Sequence, residues 1–151
     1  MMDSLPAKRF VIQTNGFFLD MIPRSYLNRL DAILVSIDGR EEITDYYRGR
    51  GVFRMVVDKV RKIRPHYRGD LIARMAVSGE SDIYEDVVHL LSLPFDHVHW
   101  QLNVVWSPDD SWYDFDFWVN NSYNPGITKL AELWIEELKK AKTWELCHFW
   151  E

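Results

Sequence analysis

Ala32-Ile33-Leu34-Val35-Ser36-Ile37-Asp38-Gly39 reads as a β-strand that closes on polar groups and a glycine turn. Alternate side chains of a strand face opposite ways. Ile33, Val35 and Ile37 therefore make one apolar face, while Ser36 and Asp38 share the other. In α/β proteins ligands gather at the C-terminal ends of the strands, which makes this strand end a candidate binding position. Behind it lies Tyr47-Arg48-Gly49-Arg50-Gly51, a glycine-bracketed run that leads into a helix.

Working outward, residues 1–8 form a short polar lead-in and Arg9–Thr14 reads as the first strand, stopped by Asn15-Gly16, a pair that tolerates left-handed backbone. Pro23 suits the first turn of a helix whose buried side is Tyr26, Leu27 and Leu30. The second strand is Ala32–Asp38, and Arg40–Arg50 reads as a polar connection. Phe53, Val56, Val57, Val60 and Ile63 recur at three- and four-residue spacing, predicting a helix from about Val52 to Ile63 that ends at Pro65. The third strand is Leu71–Val77. Asp82, with Glu85 three residues on, reads as an N-cap pair for a helix over Ile83–Leu91. The fourth strand, about His97–Val105, is expected to be the longest. Trp106–Gly126 reads as a loop rich in aromatic and acidic residues, before a last helix over about Ile127–Ala141. That helix is expected to turn Ile127, Leu130, Trp134 and Leu138 inward and Glu136, Glu137, Lys139 and Lys140 outward.

Every crossover in this β-α-β-α-β-α-β order is long enough for parallel pairing. Two architectures fit: an open doubly wound sheet, or an arc of a TIM-type barrel with about four βα units. Alternate positions decide between them. One face carries Val11, Gln13 and Asn15 on the first strand, Ala32, Leu34, Ser36 and Asp38 on the second, Ile72, Arg74, Ala76 and Ser78 on the third, and His99, Gln101 and Asn103 on the fourth. A doubly wound sheet buries both faces and wants both apolar. A polar face shared by all strands suits the lumen of a parallel-stranded partial barrel, which is the expected fold.

The composition narrows the functions. With 151 residues, 47% hydrophobic and 27% charged, the chain is long enough for one domain and one core. A net charge of −5 argues against a general nucleic-acid surface, and the basic cluster Arg48–Arg68 is interleaved with a helix's apolar face. The single cysteine, Cys147, excludes an internal disulfide and any multi-thiolate site made by this chain alone. No apolar run approaches the roughly 20 residues of a membrane span, so a soluble, cytoplasmic protein without membrane contact is expected.

Three motifs in order carry a resemblance: Ile12-Gln13-Thr14-Asn15-Gly16, Val35-Ser36-Ile37-Asp38-Gly39 and Asp45-Tyr46-Tyr47-Arg48-Gly49-Arg50-Gly51-Val52-Phe53. Together they resemble the middle of a radical S-adenosylmethionine enzyme, most similar to the peptide-modifying SPASM-type branch with extra iron–sulfur clusters. The resemblance implies a partial (β/α)6 barrel domain over residues 9–142, matching strands three to six of that barrel. Residues 143–151 would then open a following segment. It further implies S-adenosylmethionine as cofactor, with Ser36 at its ribose and methionine part, Arg48 at its carboxylate, and Asp38 and Asn15 beside them. Hydroxyls and guanidinium groups suit those partners chemically. Gln13, Arg74, Gln101, Asn103 and Trp106 would face a peptide or protein substrate. The family's [4Fe-4S] cluster is held by three cysteines in a CxxxCxxC loop, and this sequence has neither that loop nor the glycine-rich motif of the second strand. Alone, it is expected not to cleave S-adenosylmethionine, as the back half of a longer enzyme or a fragment that pairs with another chain.

Other residues have readings of their own. Arg74, mid-strand between apolar neighbours, needs an anionic partner, either Asp38 or a ligand. His97 and His99 share a strand face as the histidines of metal-dependent barrel hydrolases do, but they open the strand instead of closing it, and a metal-dependent hydrolase is the weakest of the enzyme readings. A non-catalytic fragment that self-associates through the open sheet edges at residues 10–14 and 98–105 is the reading outside the enzyme class.

Overall fold

A computed structural model of the chain describes residues 6–103 and 114–139. Four strands, β1 (Val11–Thr14), β2 (Ala32–Ser36), β3 (Asp70–Val77) and β4 (His97–Leu102), form one sheet in sequence order, and every pair is parallel. Between them run α1 (Arg24–Leu27), α2 (Glu41–Arg48), α3 (Val52–Ile63) and α4 (Ile83–Leu91). After β4 come α5 (Phe115–Trp118), a π-turn (Val119–Tyr123) and α6 (Asn124–Lys139).

The two faces of the sheet differ as the sequence pattern requires. Ile33, Val35, Leu71, Ala73, Met75 and Val77 are fully buried, packed in one core with Val56, Val60, Ile83, Val87 and Leu90 from α3 and α4. Each of these side chains except the single methyl of Ala73 contributes about 1.5–3 kcal/mol by leaving water. On the opposite face Ala32, Leu34, Ile72, Arg74 and Ala76 are only half-buried. The strict alternation along β3 shows helices covering one side. A doubly wound sheet would bury both, so this is an open α/β sheet with one free face, as a partial barrel has.

Both the α3 and α4 ranges agree with the hydrophobic spacing, and Asp82 caps α4 by accepting from the Tyr84 and Glu85 amides. Its reciprocal partner differs from expectation: the Asp82 amide donates to Asp86 Oδ2 at 2.9 Å, and Glu85 is exposed.

Several expectations need correction. Arg40–Arg50 is not merely a polar connection but holds α2, whose buried residues are only Ile43 and Thr44; two buried positions make too little periodicity to read. Residues 115–126 are helical where their aromatic and acidic composition had suggested a loop. The π-turn lies where the Pro125 ring would otherwise meet the carbonyl of Asn121. Gly126 lets α6 close on α4, since a Cβ there would sit 2.4 Å from Ile83 Cγ2. Tyr26 and Leu138 are exposed, at 51% and 45%, while Glu137 is buried. α1 is one short turn, too brief to cover Tyr26, and α6 buries a stripe through Gly126, Leu130 and Glu137 instead. Among the described residues β3, not β4, is the longest strand. Val104, Val105 and the first part of the aromatic loop, residues 106–113, lie outside the described residues. No helix among the described residues is long and apolar enough to cross a membrane.

Candidate functional site

β2 pairs with β3 only as far as Ser36 opposite Arg74, and beyond that point Asp38 takes over from the ladder. Its Oδ1 accepts the Ala76 amide of β3 at 3.0 Å and Nη2 of Arg48 at 2.7 Å. Arg48 Nε is 2.6 Å from Oδ2 but off the N–H axis, a charge pair without a directed hydrogen bond. The Asp38 amide donates to Thr44 Oγ1, whose hydroxyl donates to the Gly39 carbonyl. Asp38 is 2% exposed. This carboxylate thus joins β2, β3 and the end of α2.

The turn that follows is fixed from the far side of the helix layer. Asp86 of α4, fully buried, accepts from the Arg40 amide at 3.0 Å and from Arg40 Nε at 2.9 Å as well as from Asp82. Its hydrogen bond holds the Arg40 guanidinium above its ordinary pKa. Gly39, at φ +128°, passes so close that a Cβ would lie 2.5 Å from Asp86 Cγ. The glycine after Ser36 and Asp38 is therefore required by Asp86, with no ligand needed to explain it.

Register then sets the open face. Ser36 pairs with Arg74, and Arg74 with His99; in a parallel sheet such partners project to the same side. The Ser36 hydroxyl, 7% exposed, has no hydrogen-bond partner among the described residues. Burial first, and the Arg74 charge second, hold the His99 imidazole below its usual pKa. Arg74 is half-buried and forms no ion pair among the described residues; Asp38, expected as one possible partner, is taken by Arg48. Gln101 is exposed in register with Ala76, and Gln13, exposed, pairs with Leu34. Asn103, just past β4, donates from Nδ2 to Ser78 Oγ at 3.2 Å. Asn15 stands apart: its Oδ1 accepts the Phe17 amide at 3.2 Å, an Asx turn closing β1. Trp106 lies outside the described residues.

The structure therefore gathers Ser36, Asp38, Arg48, Arg74, Gln101 and Asn103 on the open face or its C-terminal rim, with Gln13 toward the β1 edge. Missed in the sequence are Asp86, Thr44, Ser81, whose Oγ accepts the Ser78 amide, and Tyr47, whose hydroxyl accepts the Glu80 amide. Asp86 left a signal: it falls on the stripe of Ile83, Val87 and Leu90, where an acid is out of place. His97 Nε2 is 4.0 Å from Asp70 Oδ1, and among the described residues no group of three or more His, Cys, Asp or Glu is placed to hold a metal.

Four parallel strands with helices behind one face is a fold this chain shares with solved structures. Native anSMEcpe with bound AdoMet and the Kp18Cys peptide matches with a TM-score of 0.65 and 14% identity, over 91% of this chain and 40% of that one. Native anSMEcpe with bound AdoMet and the Cp18Cys peptide matches at 0.64 and 15%, over 91% and 40%. The chain thus spans 40% of the length of the solved structures it matches. No family model matches it. No curated protein matches it either.

Proposed function

We propose that this chain is the S-adenosylmethionine- and substrate-facing part of a radical S-adenosylmethionine domain, in an iron–sulfur enzyme that modifies a peptide or protein. What carries the reading is the match of 91% of the chain to structures that hold AdoMet and a peptide. The chain's own residues fit the cofactor: the Ser36 hydroxyl lies on the free face with no hydrogen-bond partner among the described residues, which suits ribose, and Arg48 and Asp38 rim the same end. Bound there, the cofactor would supply a sulfonium that an iron–sulfur cluster could reduce. The cluster itself does not fit this chain, whose one cysteine cannot supply three thiolates. The isolated chain is therefore inactive, and binding is what it can be tested for.

Equilibrium dialysis against S-adenosylmethionine should show saturable binding that weakens about 3–10-fold in Ser36→Ala, the worth of one hydrogen bond. No saturable binding, or binding that Ser36→Ala and Arg48→Ala both leave unchanged, overturns the reading.

A second reading is favoured by one observation. Beside the open β1 edge lies an apolar groove of about 610 Å³, lined by residues that include Ile12, Phe18, Met21 and Tyr26. A cytoplasmic, non-catalytic fragment that self-associates there is the alternative.

A further inference from the structure

The resemblance assigned a ligand carboxylate to Arg48, but Asp38 already meets that guanidinium at 2.6 and 2.7 Å. Burying a second carboxylate against a neutralised pair returns little. On the same face Arg74 is different. It is half-buried in mid-strand, between the Ser36 hydroxyl on β2 and His99 on β4, and among the described residues it forms no ion pair. The chain has 23 acidic residues against 18 basic ones, so anionic side chains were abundant, and neighbouring guanidiniums use them: Arg40 pairs with Asp86, Arg54 with Glu41 and Arg64 with Asp96.

From this geometry we infer that Arg74 anchors a carboxylate of the ligand on the open face, with Ser36 as a neighbouring donor. The inference rests on the cofactor-and-substrate reading of that face and adds which group holds the ligand's charge. A guanidinium takes a carboxylate through two parallel N–H bonds, fixing orientation as well as charge. Two sources share this chemistry, the amino-acid carboxylate of S-adenosylmethionine and an acidic or C-terminal carboxylate of the substrate. His99 beside Arg74 supplies a reporter, because its imidazole is held down in part by the Arg74 charge. A carboxylate seated on Arg74 offsets that charge and raises the His99 pKa.

The test follows the His99 ring resonances by NMR while the full chain is titrated with three probes: S-adenosylmethionine, its decarboxylated analogue and N-acetylglutamate amide. Dialysis affinities are measured in parallel for wild type, Arg74→Lys and Arg74→Met. A carboxylate-bearing probe should raise the His99 pKa and bind at least about tenfold more weakly to Arg74→Met, with Arg74→Lys keeping part of the affinity. If S-adenosylmethionine responds and its decarboxylated analogue does not, the cofactor is the source. If only N-acetylglutamate amide responds, it is the substrate. Should Arg74→Met be unfolded, the wild-type shift and Arg74→Lys still decide. If no probe moves His99, or the wild-type affinity survives in Arg74→Met, the inference is overturned. Binding of S-adenosylmethionine that is lost in Ser36→Ala, with no carboxylate-bearing probe weakened by Arg74→Met, would sink the inference alone and leave the proposed function standing.

Discussion

Single glycines separate backbone strain from steric contact in this chain. Gly39 has a positive φ, and a Cβ there would lie 2.5 Å from the buried Asp86 carboxyl; Gly51, at φ +83°, has nothing within 4 Å; Gly79 has neither a positive φ nor a neighbour. Left-handed backbone costs an L-residue about 1–3 kcal/mol, and forcing atoms into a packed site adds a comparable amount. Alanine should therefore destabilise by roughly 2–5 kcal/mol at Gly39, about 1 kcal/mol at Gly51 and under about 0.5 kcal/mol at Gly79. Urea unfolding of the three variants checks the order; a Gly39→Ala protein as stable as Gly79→Ala would show that Asp86 does not dictate the turn. At this scale the sequence is legible where chemistry follows the chain and silent where it depends on a distant element. Ser36, Asp38 and Arg48 could be placed at one end because alternation and a nearby glycine run set their directions. That Asp38 would be taken by Arg48 and the Ala76 amide, and leave Arg74 without a carboxylate among the described residues, depends on the register of β3, which no local pattern encodes.

Elements are decided by periodicity first and by their ends second. α3 was readable because five of its six buried positions, Phe53, Val56, Val57, Val60 and Ile63, fall at three- and four-residue spacing. α2 was not, having only two, and it matters through its last turns: Asp45 accepts the Gly51 amide at 2.6 Å and the Phe53 amide at 2.9 Å. Gly51, the N-cap of α3, has no side chain to satisfy the first-turn amides, so the preceding helix supplies the cap. Asp45→Ala should cost about 1–2 kcal/mol and Asp45→Asn less, since the amide oxygen still accepts. Hydrogen exchange at the amides of Gly51 and Phe53 should accelerate in Asp45→Ala, while amides in the last turn of α3 keep their protection. Uniform acceleration along α3 would mean that Asp45 stabilises the whole helix pair and is not a local cap.

For the whole molecule, parallel order and the covered face could be read from crossover lengths and alternation, but the apolar surface beside β1 could not. Phe18 and Met21 are each 71% exposed, Tyr26 51% and Val11 56%, next to a strand whose outer edge is unpaired among the described residues. The loop Asn15–Pro23 gives no periodic pattern that would mark those side chains as surface. Covering three such side chains gains about 5–9 kcal/mol. Fixing two molecules together costs at least about 4 kcal/mol and usually more. The balance leaves at most about 5 kcal/mol and predicts weak association, with a dissociation constant of about 0.2 mM at the tightest. Sedimentation velocity between about 10 µM and 1 mM should show the weight-average coefficient rising with concentration. Phe18→Glu with Met21→Lys should abolish the rise without unfolding the chain, because both positions face water. Phe117→Glu, at a residue 63% exposed on α5, should leave it unchanged if the β1 edge is the contact. A wild-type chain that stays monomeric across the whole range, or a rise that only Phe117→Glu removes, would rule out association through β1.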